Sequence, residues 1–311
     1  MENTARDLKP SFAEARRAYL GGTDAAAILG LSRYRSPVQV WGEKTGLIQP
    51  ENIDNKLPVI LGKRLEEVVA ELFTEKTGKK VRRVNETLFH PKYPFLGANI
   101  DRQVVGEDAG LECKTVGAWK AKEFEAEELP AEHIVQCVHY LAVTGKARWY
   151  LAALIGNQDF IIKTIERDEP MIRQLVEKEV AFWNNFVVPN IMPAIITAND
   201  DETLLKLFPH ATQGPAIHLD DNANRIIETL QAYKLDRKNL EDQIAKMENE
   251  LKAVLGSHDC GASARWLVTW KDRIAKRIDT ELLRNRYPQI ATEVEKETQT
   301  RILKIKGMEV I

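Results

Sequence analysis

The chain has 311 residues, of which 44% are hydrophobic and 29% charged, a balance typical of a soluble globular protein with a real core. Its formal net charge of -2 argues against attraction to a polyanion by bulk electrostatics, so that nucleic-acid binding would need a local basic groove. The cysteines Cys113, Cys137 and Cys260 lie far apart without a CxxC pair. A zinc ribbon or an iron–sulfur cluster held by this chain alone is therefore not expected.

The N-terminal segment is charged and lacks the apolar stretch of a signal peptide. No run of residues approaches the ~18 apolar residues of a membrane span. We therefore predict a soluble protein of the cytoplasm (the host cytoplasm, if a phage encodes it) with no membrane partner.

Helices and strands alternate along the first 190 residues. We predict helices over 11–20, 23–30, 38–47, 58–77, 130–145 and 168–190, and strands over 79–90, 95–105, 110–116, 147–156 and 158–167. Thr23 or Asp24 is the expected N-cap of the second helix. This order predicts an α/β (α+β) fold with a central mixed sheet flanked by helices.

The second part of the chain begins after a proline-rich stretch. Pro189, Pro193, Pro209 and Pro215 mark a linker, so we expect a first domain over 1–190, a linker over 191–219 and a C-terminal unit over 220–311. Apolar residues at two heptad positions between 226 and 254, with Arg237 at one core position, favour a coiled coil or helical pair. A single helix packed on its own domain is the alternative.

The residues after this heptad segment are less informative. We predict strands over 264–271 and 301–306, separated by a helix over 279–287. Trp266 and Trp270 share one strand face and would touch DNA in one interpretation. We favour the other interpretation, a small folded cap.

The chemistry-bearing stretch of the sequence is the predicted hairpin at 95–116. Glu112 and Lys114 lie on the same face of a strand, and Asp101 follows an apolar strand upstream. A surface ion pair would explain Glu112 and Lys114 alone. The apolar flanks indicate burial, and buried carboxylates need a cation, which a divalent metal would supply.

The register of a regular hairpin opposes this metal hypothesis. A loop over GEDAG would pair Val105 with Leu111, leaving Asp101 about 10 Å out of line and on the wrong face. The hypothesis therefore requires a bulge or a sharp bend between Ala98 and Arg102.

Four sequence blocks together resemble a known family. Asp101 followed by Glu112-x-Lys114 resembles the signature of the PD-(D/E)XK nuclease superfamily. GGTDAAAILGLSRYRSPVQVWGEKTG looks like the opening block of the YqaJ-type viral recombinases, the phage lambda exonuclease-like branch. LGKRLEEVVAELF matches its Gly-x-x-x-Glu helix with Glu66, and QCVHYLAVTG its Gln-x-x-x-Tyr helix with Gln136 and Tyr140. The resemblance covers roughly residues 14–165, with Asn99-Ile100 where the superfamily has a proline.

The resemblance implies a restriction-endonuclease-like core with a metal site. Asp101, Glu112 and the backbone carbonyl of Cys113 would bind Mg²⁺ or Mn²⁺, and Glu66 would help to hold a second metal or its water. Lys114 would orient or deprotonate the attacking water. Gln136 and Tyr140 would line the site, although Tyr140 as a core residue and Glu66 as a solvated carboxylate are the alternatives.

The corner at Gly21 to Asp24 is a second candidate site, since backbone N–H groups and a hydroxyl suit a phosphate. Arg16, Thr23 and Arg33 match the family's pocket for a 5′-phosphate, with Arg35 a poorer alternative to Arg33. Helix capping with solvated arginines is the other interpretation.

The resemblance implies a metal-dependent 5′→3′ exonuclease on linear double-stranded DNA. It would leave 3′ single-stranded tails for a single-strand annealing protein, and relatives form ring-shaped oligomers, so a homo-oligomer is expected. Two alternatives stay open. One is an endonuclease or single-strand-specific nuclease on the same fold, and the other is a non-catalytic DNA-binding or assembly module.

Overall fold

The computed structural model describes residues 12–125, 129–296 and 300–307. Its helices are α1 (Phe12–Ala15), α2 (Gly22–Ile28), α3 (Pro37–Lys44), α4 (Leu57–Thr77), α5 (Ala121–Glu125), α6 (Ala131–Thr144), α7 (Glu169–Phe182), α8 (Asp201–Leu207), α9 (Asp221–Leu255), α10 (Thr280–Arg286) and α11 (Pro288–Val294). Its strands are β1 (Val81–Arg83), β2 (Leu88–Phe89), β3 (Gly97–Ala98), β4 (Arg102–Val104), β5 (Ala109–Val116), β6 (Arg148–Ile155), β7 (Asp159–Glu166), β8 (Cys260–Ala262) and β9 (Leu267–Thr269).

The central sheet has five strands in the order β1-β4-β5-β6-β7. Strands β5 and β6 are parallel and the other neighbours are antiparallel, so the sheet is mixed, as the sequence predicts. Parallel strands need a crossover connection, and α6 supplies it between β5 and β6.

Alternate residues of β6 build two hydrophobic cores, one on each face of the sheet. Trp149 and Leu151 pack in the core that also contains residues of α6 and α7, whereas Tyr150 and Ala152 pack with Val69 and other residues of the α4 side. The sheet is therefore covered by helices on both faces, which accounts for the nearly continuous apolar run of β6.

The hairpin register differs from the one that the sequence predicts. Arg102 lies opposite Leu111 and Gln103 opposite Gly110, so the pairing of Val105 with Leu111 is wrong by three residues. Strand β5 begins one residue earlier than predicted, because Ala109 and Gly110 already pair with the parallel strand β6. Gly110 is required there, since a Cβ at this position would lie 2.2 Å from the Trp149 ring.

Several other expectations change at the ends of elements. The first predicted helix stops at Ala15 and continues as a 3-10 turn over Arg16–Ala18, the predicted strand 79–90 divides into β1 and β2, and α2 is capped by Gly21 rather than by Thr23 or Asp24. Residues 301–306 are not a strand, because in the described part of the chain no neighbouring strand hydrogen-bonds to them.

Contacts divide the chain into a unit that ends at Pro209 and a unit that begins at His210. In the second unit, α9 runs for 35 residues, and β8 and β9 form a small hairpin. Of the helices in the described ranges, none is both long enough and apolar enough to cross a bilayer.

Candidate active site

Asp101 and Glu112 come together through the register of β4 and β5. Asp101 lies in a bend between β3 and β4, within the stretch where the metal hypothesis requires one. Because Arg102 faces Leu111, Asp101 lies beside Glu112 and Cys113, and the Cys113 N–H donates to Asp101 Oδ2 at 2.8 Å. Both carboxylates line one cleft with Lys114 and, from α4, Glu66.

Glu112 is 3% exposed, and its carboxylate contacts side chains of its own strand β5 and of helix α6. Its Oε1 lies 2.6 Å from Lys114 Nζ and accepts a hydrogen bond from Gln136 Nε2 at 2.7 Å. Its Oε2 is buried and has no hydrogen-bond partner among the described residues. A buried carboxylate oxygen without a partner is costly, so this atom is suited to a cation.

Burial and then the charge of Glu112 raise the pKa of Asp101 well above its ordinary value. Two carboxylates this close repel each other when both are ionised, and a divalent cation between them removes that cost. Among the residues that the structure describes, no three or more His, Cys, Asp or Glu side chains are grouped closely enough to hold a metal ion. The oxygen donors that the cleft offers are the carboxylates of Asp101, Glu112 and Glu66.

Lys114 connects Glu112 to α6. Its Nζ donates to Gln136 Oε1 at 3.0 Å, and Gln136 Nε2 also donates to the Tyr140 hydroxyl at 2.8 Å. Burial alone would lower the pKa of Lys114, but the adjacent Glu112 carboxylate outweighs it and raises the pKa. Lys114 is therefore an ammonium group at neutral pH. Burial and then the charge of Glu112 raise the pKa of Tyr140, which stays a neutral phenol.

Glu66 lies at the rim of the cleft and is paired with Arg102, whose side chain is 2% exposed and also contacts Glu67. Sequence reasoning missed Arg102. Its position directly after Asp101, in a predicted strand, was the available signal. His133 is neutral, since burial and then the charges of Lys114 and Lys120 lower its pKa to about 3, and its ring packs on Phe124.

Asp24 is the centre of the second candidate site, a role that sequence reasoning also missed. It is fully buried and lies 2.5 Å from Arg35 Nη1, 2.7 Å from Lys44 Nζ and 3.7 Å from Arg16 Nη2. Burial alone would raise the pKa of Asp24, but Arg35, Lys44 and Arg16 together hold it far below its usual range. Arg16 Nη2 also lies 3.4 Å from Thr23 Oγ1.

This basic cluster, formed by Arg16, Arg35 and Lys44, carries an excess of positive charge. Its acidic neighbours are Asp24 and Glu43, which pairs with Arg35. Arg33 instead pairs with Glu123 at 3.2 Å on an exposed surface. The contacts with Asp24 thus bring Arg35, rather than Arg33, into the corner with Arg16.

The two candidate sites adjoin each other through Gly22. A Cβ at this position would lie 2.9 Å from both Gln136 Cγ and the Tyr140 ring. Only a glycine lets the start of α2 approach α6 this closely. The basic cluster and the carboxylates are thus linked by one layer of side chains.

Part of the fold is similar to that of a solved exonuclease. LHK-Exo, an alkaline exonuclease from Laribacter hongkongensis, matches in its complex with dAMP with a TM-score of 0.50 at 21% identity, over 58% of this chain and 92% of that chain. Residues 11–147 match the YqaJ-like viral recombinase domain. The relative named "Uncharacterized protein YqaJ", from Bacillus subtilis (strain 168), is 38% identical over 297 residues, which span 94% of this chain and 92% of its own.

The chain therefore belongs to the YqaJ-like viral recombinase family. This membership supports a nuclease role in recombination.

Proposed function

We propose that the protein is a metal-dependent 5′→3′ exonuclease that digests linear double-stranded DNA and leaves 3′ single-stranded tails for recombination. The observation that carries the proposal is the cleft where Asp101 and Glu112 meet beside Lys114, with a buried Glu112 oxygen that lacks a partner. Its partners would be DNA ends, a single-strand annealing protein and further copies of the same chain.

Asp101, Glu112 and the backbone carbonyl of Cys113 would hold the divalent ion, Mg²⁺ or Mn²⁺. These are hard oxygen donors, and Mg²⁺ commonly takes one or two carboxylates and keeps waters and substrate phosphate as its other ligands. When bound, such an ion supplies a hydroxide near neutral pH and neutralises charge that develops on the phosphate. Glu66, held at the rim by Arg102, would contact a second ion or its water.

Lys114 would act as a fixed positive charge. Because Glu112 and Gln136 hold its ammonium group and its pKa is raised, it would orient water and stabilise a phosphate rather than accept a proton. Gln136 and Tyr140 would keep Lys114 and Glu112 in place through their hydrogen bonds.

The adjoining basic cluster supports the exonuclease over an endonuclease. A terminal phosphate carries more charge than an internal one, and arginine provides bidentate geometry for it. Thr23 at the start of α2, with Arg16 and Arg35 beside it, would bind the 5′-phosphate. Arg33 remains a candidate only on the family resemblance, since it pairs with Glu123. The contact of Gly22 with Gln136 would keep that end near the scissile bond.

Digestion of linear duplexes that differ only in a 5′-phosphate or a 5′-hydroxyl tests the proposal, with Mg²⁺ added. We expect faster loss of the strand with the 5′-phosphate, and loss of activity by ~10³-fold or more in Asp101→Asn and Glu112→Gln. Both variants keep the size of the side chain, so circular dichroism should show an intact fold.

The other outcomes identify the alternatives. Nicking of circular DNA that persists in Arg16→Ala would indicate an endonuclease. Binding of DNA without digestion, whichever divalent ion is added, would indicate a non-catalytic binding module. Full activity in both carboxylate variants would contradict the assigned site.

A further inference from the structure

Helix α9 leaves an apolar stripe uncovered. Over 35 residues, or about 52 Å, it buries only Leu255 among its described side chains. The stripe, here called the α9 seam, consists of two heptad positions, d and a. Position d holds Ile226, Tyr233, Leu240, Met247 and Val254, and position a holds Ala223, Leu230, Arg237, Ile244 and Leu251.

The apolar side chains of this seam are exposed, which indicates that a partner helix covers them. Exposed fractions reach 57% at Leu240, 64% at Met247 and 83% at Val254. In proteins, helices gain most of their stability from the packing of an apolar face against another element. A narrow stripe with a repeat of seven residues is the pattern of a two-stranded coiled coil rather than of a helix lying on a globular core.

We infer that α9 pairs with α9 of a second copy of this chain in an antiparallel, fully overlapping coiled coil. The inference does not depend on the proposed nuclease activity, because every residue that it uses lies in the second unit of the chain.

Charges along the seam disfavour the parallel arrangement. In a parallel, in-register pair, Arg237 at position a would face Arg237 of the second copy inside the seam. Asp236 at position g would face Glu241 at position e of the second copy, and symmetry repeats this contact. Both like-charge contacts destabilise the pair.

The antiparallel arrangement removes these contacts. With the helices fully overlapping, every core layer pairs an a residue with a d residue of the other copy: Leu230 with Met247, Arg237 with Leu240, Ile244 with Tyr233, Leu251 with Ile226, and Ala223 with Val254. Lys234 then flanks Glu241 of the second copy, and Asp236 flanks Gln243. The stem of Arg237 lies along Leu240 and its charged head reaches water at the edge of the seam.

The same charges select the register. Sliding one helix by a heptad in one direction would place Lys234 against Lys234 and Asp236 against Asp236 of the other copy. Sliding it in the other direction would place Glu241 against Glu241. Among these three registers, only full overlap avoids like-charge contacts along the edges of the seam.

The first test measures the mass of the full-length protein by sedimentation equilibrium over a range of concentrations. Leu240→Asp places a charge in the middle of the seam, so we expect its dissociation constant to rise by ~100-fold or more relative to the wild type. A wild-type protein that stays monomeric at ~100 µM, or a mass that Leu240→Asp leaves unchanged, would overturn the inference.

The second test determines helix orientation. Glu241→Lys should raise the dissociation constant by ~10-fold, since it places two lysines against each other at each edge contact. The double variant Lys234→Glu/Glu241→Lys should restore the wild-type dissociation constant. In a parallel pair Glu241→Lys would relieve the contact with Asp236 and tighten the pair, which would refute the antiparallel arrangement.

Two controls separate pairing from helix stability. Lys238→Glu reverses a charge one position away from the core and should leave the dissociation constant within ~2-fold. Glu241→Lys also breaks the ion pair of Glu241 with Arg237 in the same helix, at 3.4 Å. The double variant breaks this ion pair too, so its loss in the single variant does not account for a rescue.

Discussion

At the scale of single residues, the environment of Glu112 combines a neighbour on its own strand with groups from other parts of the fold. Lys114 comes from its own strand, Gln136 from the crossover helix α6 and Asp101 from the bend before β4. The sequence predicts that Glu112 and Lys114 share a face, and they do lie in contact. It does not predict Gln136 as the bridge between them, because that contact depends on how α6 packs on β5 and β6.

The same substitution at Arg33 and at Arg35 provides a test of the phosphate pocket with a matched control. Arg35 contacts buried Asp24, whereas Arg33 makes an exposed ion pair with Glu123. We expect Arg35→Lys to reduce the preference for a 5′-phosphate over a 5′-hydroxyl by ~10-fold, because lysine cannot reproduce bidentate contacts. Arg33→Lys should leave the preference within ~2-fold.

Digestion rates on the two duplexes measure that preference, with thermal unfolding as the check on folding. A loss of preference in Arg33→Lys but not in Arg35→Lys would show that Arg33, as the family resemblance implies, contacts the phosphate.

At the scale of elements, a buried ion pair joins α6 to α7, and its histidine also contacts β3. His139 Nδ1 lies 2.5 Å from Glu179 Oε1, and Nε2 lies 3.0 Å from the Gly97 carbonyl oxygen. Both ring nitrogens face acceptor oxygens, which favours the doubly protonated imidazole. Burial alone would lower the pKa of His139, but the Glu179 carboxylate and the hydrogen bonds raise it.

This raised pKa predicts a pH-dependent stability. The contribution of His139 is fully present below the ordinary histidine pKa of about 6.5 and is lost as the pH rises through the raised pKa of the folded state. We therefore expect the free energy of unfolding to decrease above about pH 6.5 in the wild type, as measured by urea titration.

His139→Gln should abolish most of this decrease and should destabilise the protein at pH 6 by about 3 kcal/mol, because Glu179 loses its buried partner. His218→Gln, on an exposed segment, is the control and should retain the wild-type pH dependence. Identical pH profiles for wild type and His139→Gln would rule out this role of the pair.

At the scale of the whole molecule, the boundary between the two units lies between Pro209 and His210. The sequence predicts a linker over 191–219, yet the first unit extends to Pro209. Buried Asp200 accepts a hydrogen bond from buried Ser36, at the start of α3, and Ile196 lies against Gly30. Residues 191–207 thus pack on the part of the chain that carries the basic cluster.

Two truncations test this boundary. A chain that ends at Pro209 should fold and keep its nuclease activity per molecule, while losing the self-association through α9. A chain that ends at Asn190 should be destabilised by about 2 kcal/mol or more, since it uncovers α3. Denaturant unfolding and digestion assays measure both effects, and equal stabilities of the two truncated chains would support the shorter domain, 1–190.

The sequence by itself determined the family, the mixed sheet with flanking helices, and the heptad pattern of α9. These follow from local periodicity and from motifs whose residues lie near one another in the chain. The tertiary structure decided the register that brings Asp101 to Glu112, the contact of Gly22 with Gln136, and the gathering of Arg16, Arg35 and Lys44 around Asp24. Each of these depends on contacts between elements far apart in sequence, such as the parallel pairing of β5 with β6, which local periodicity does not encode.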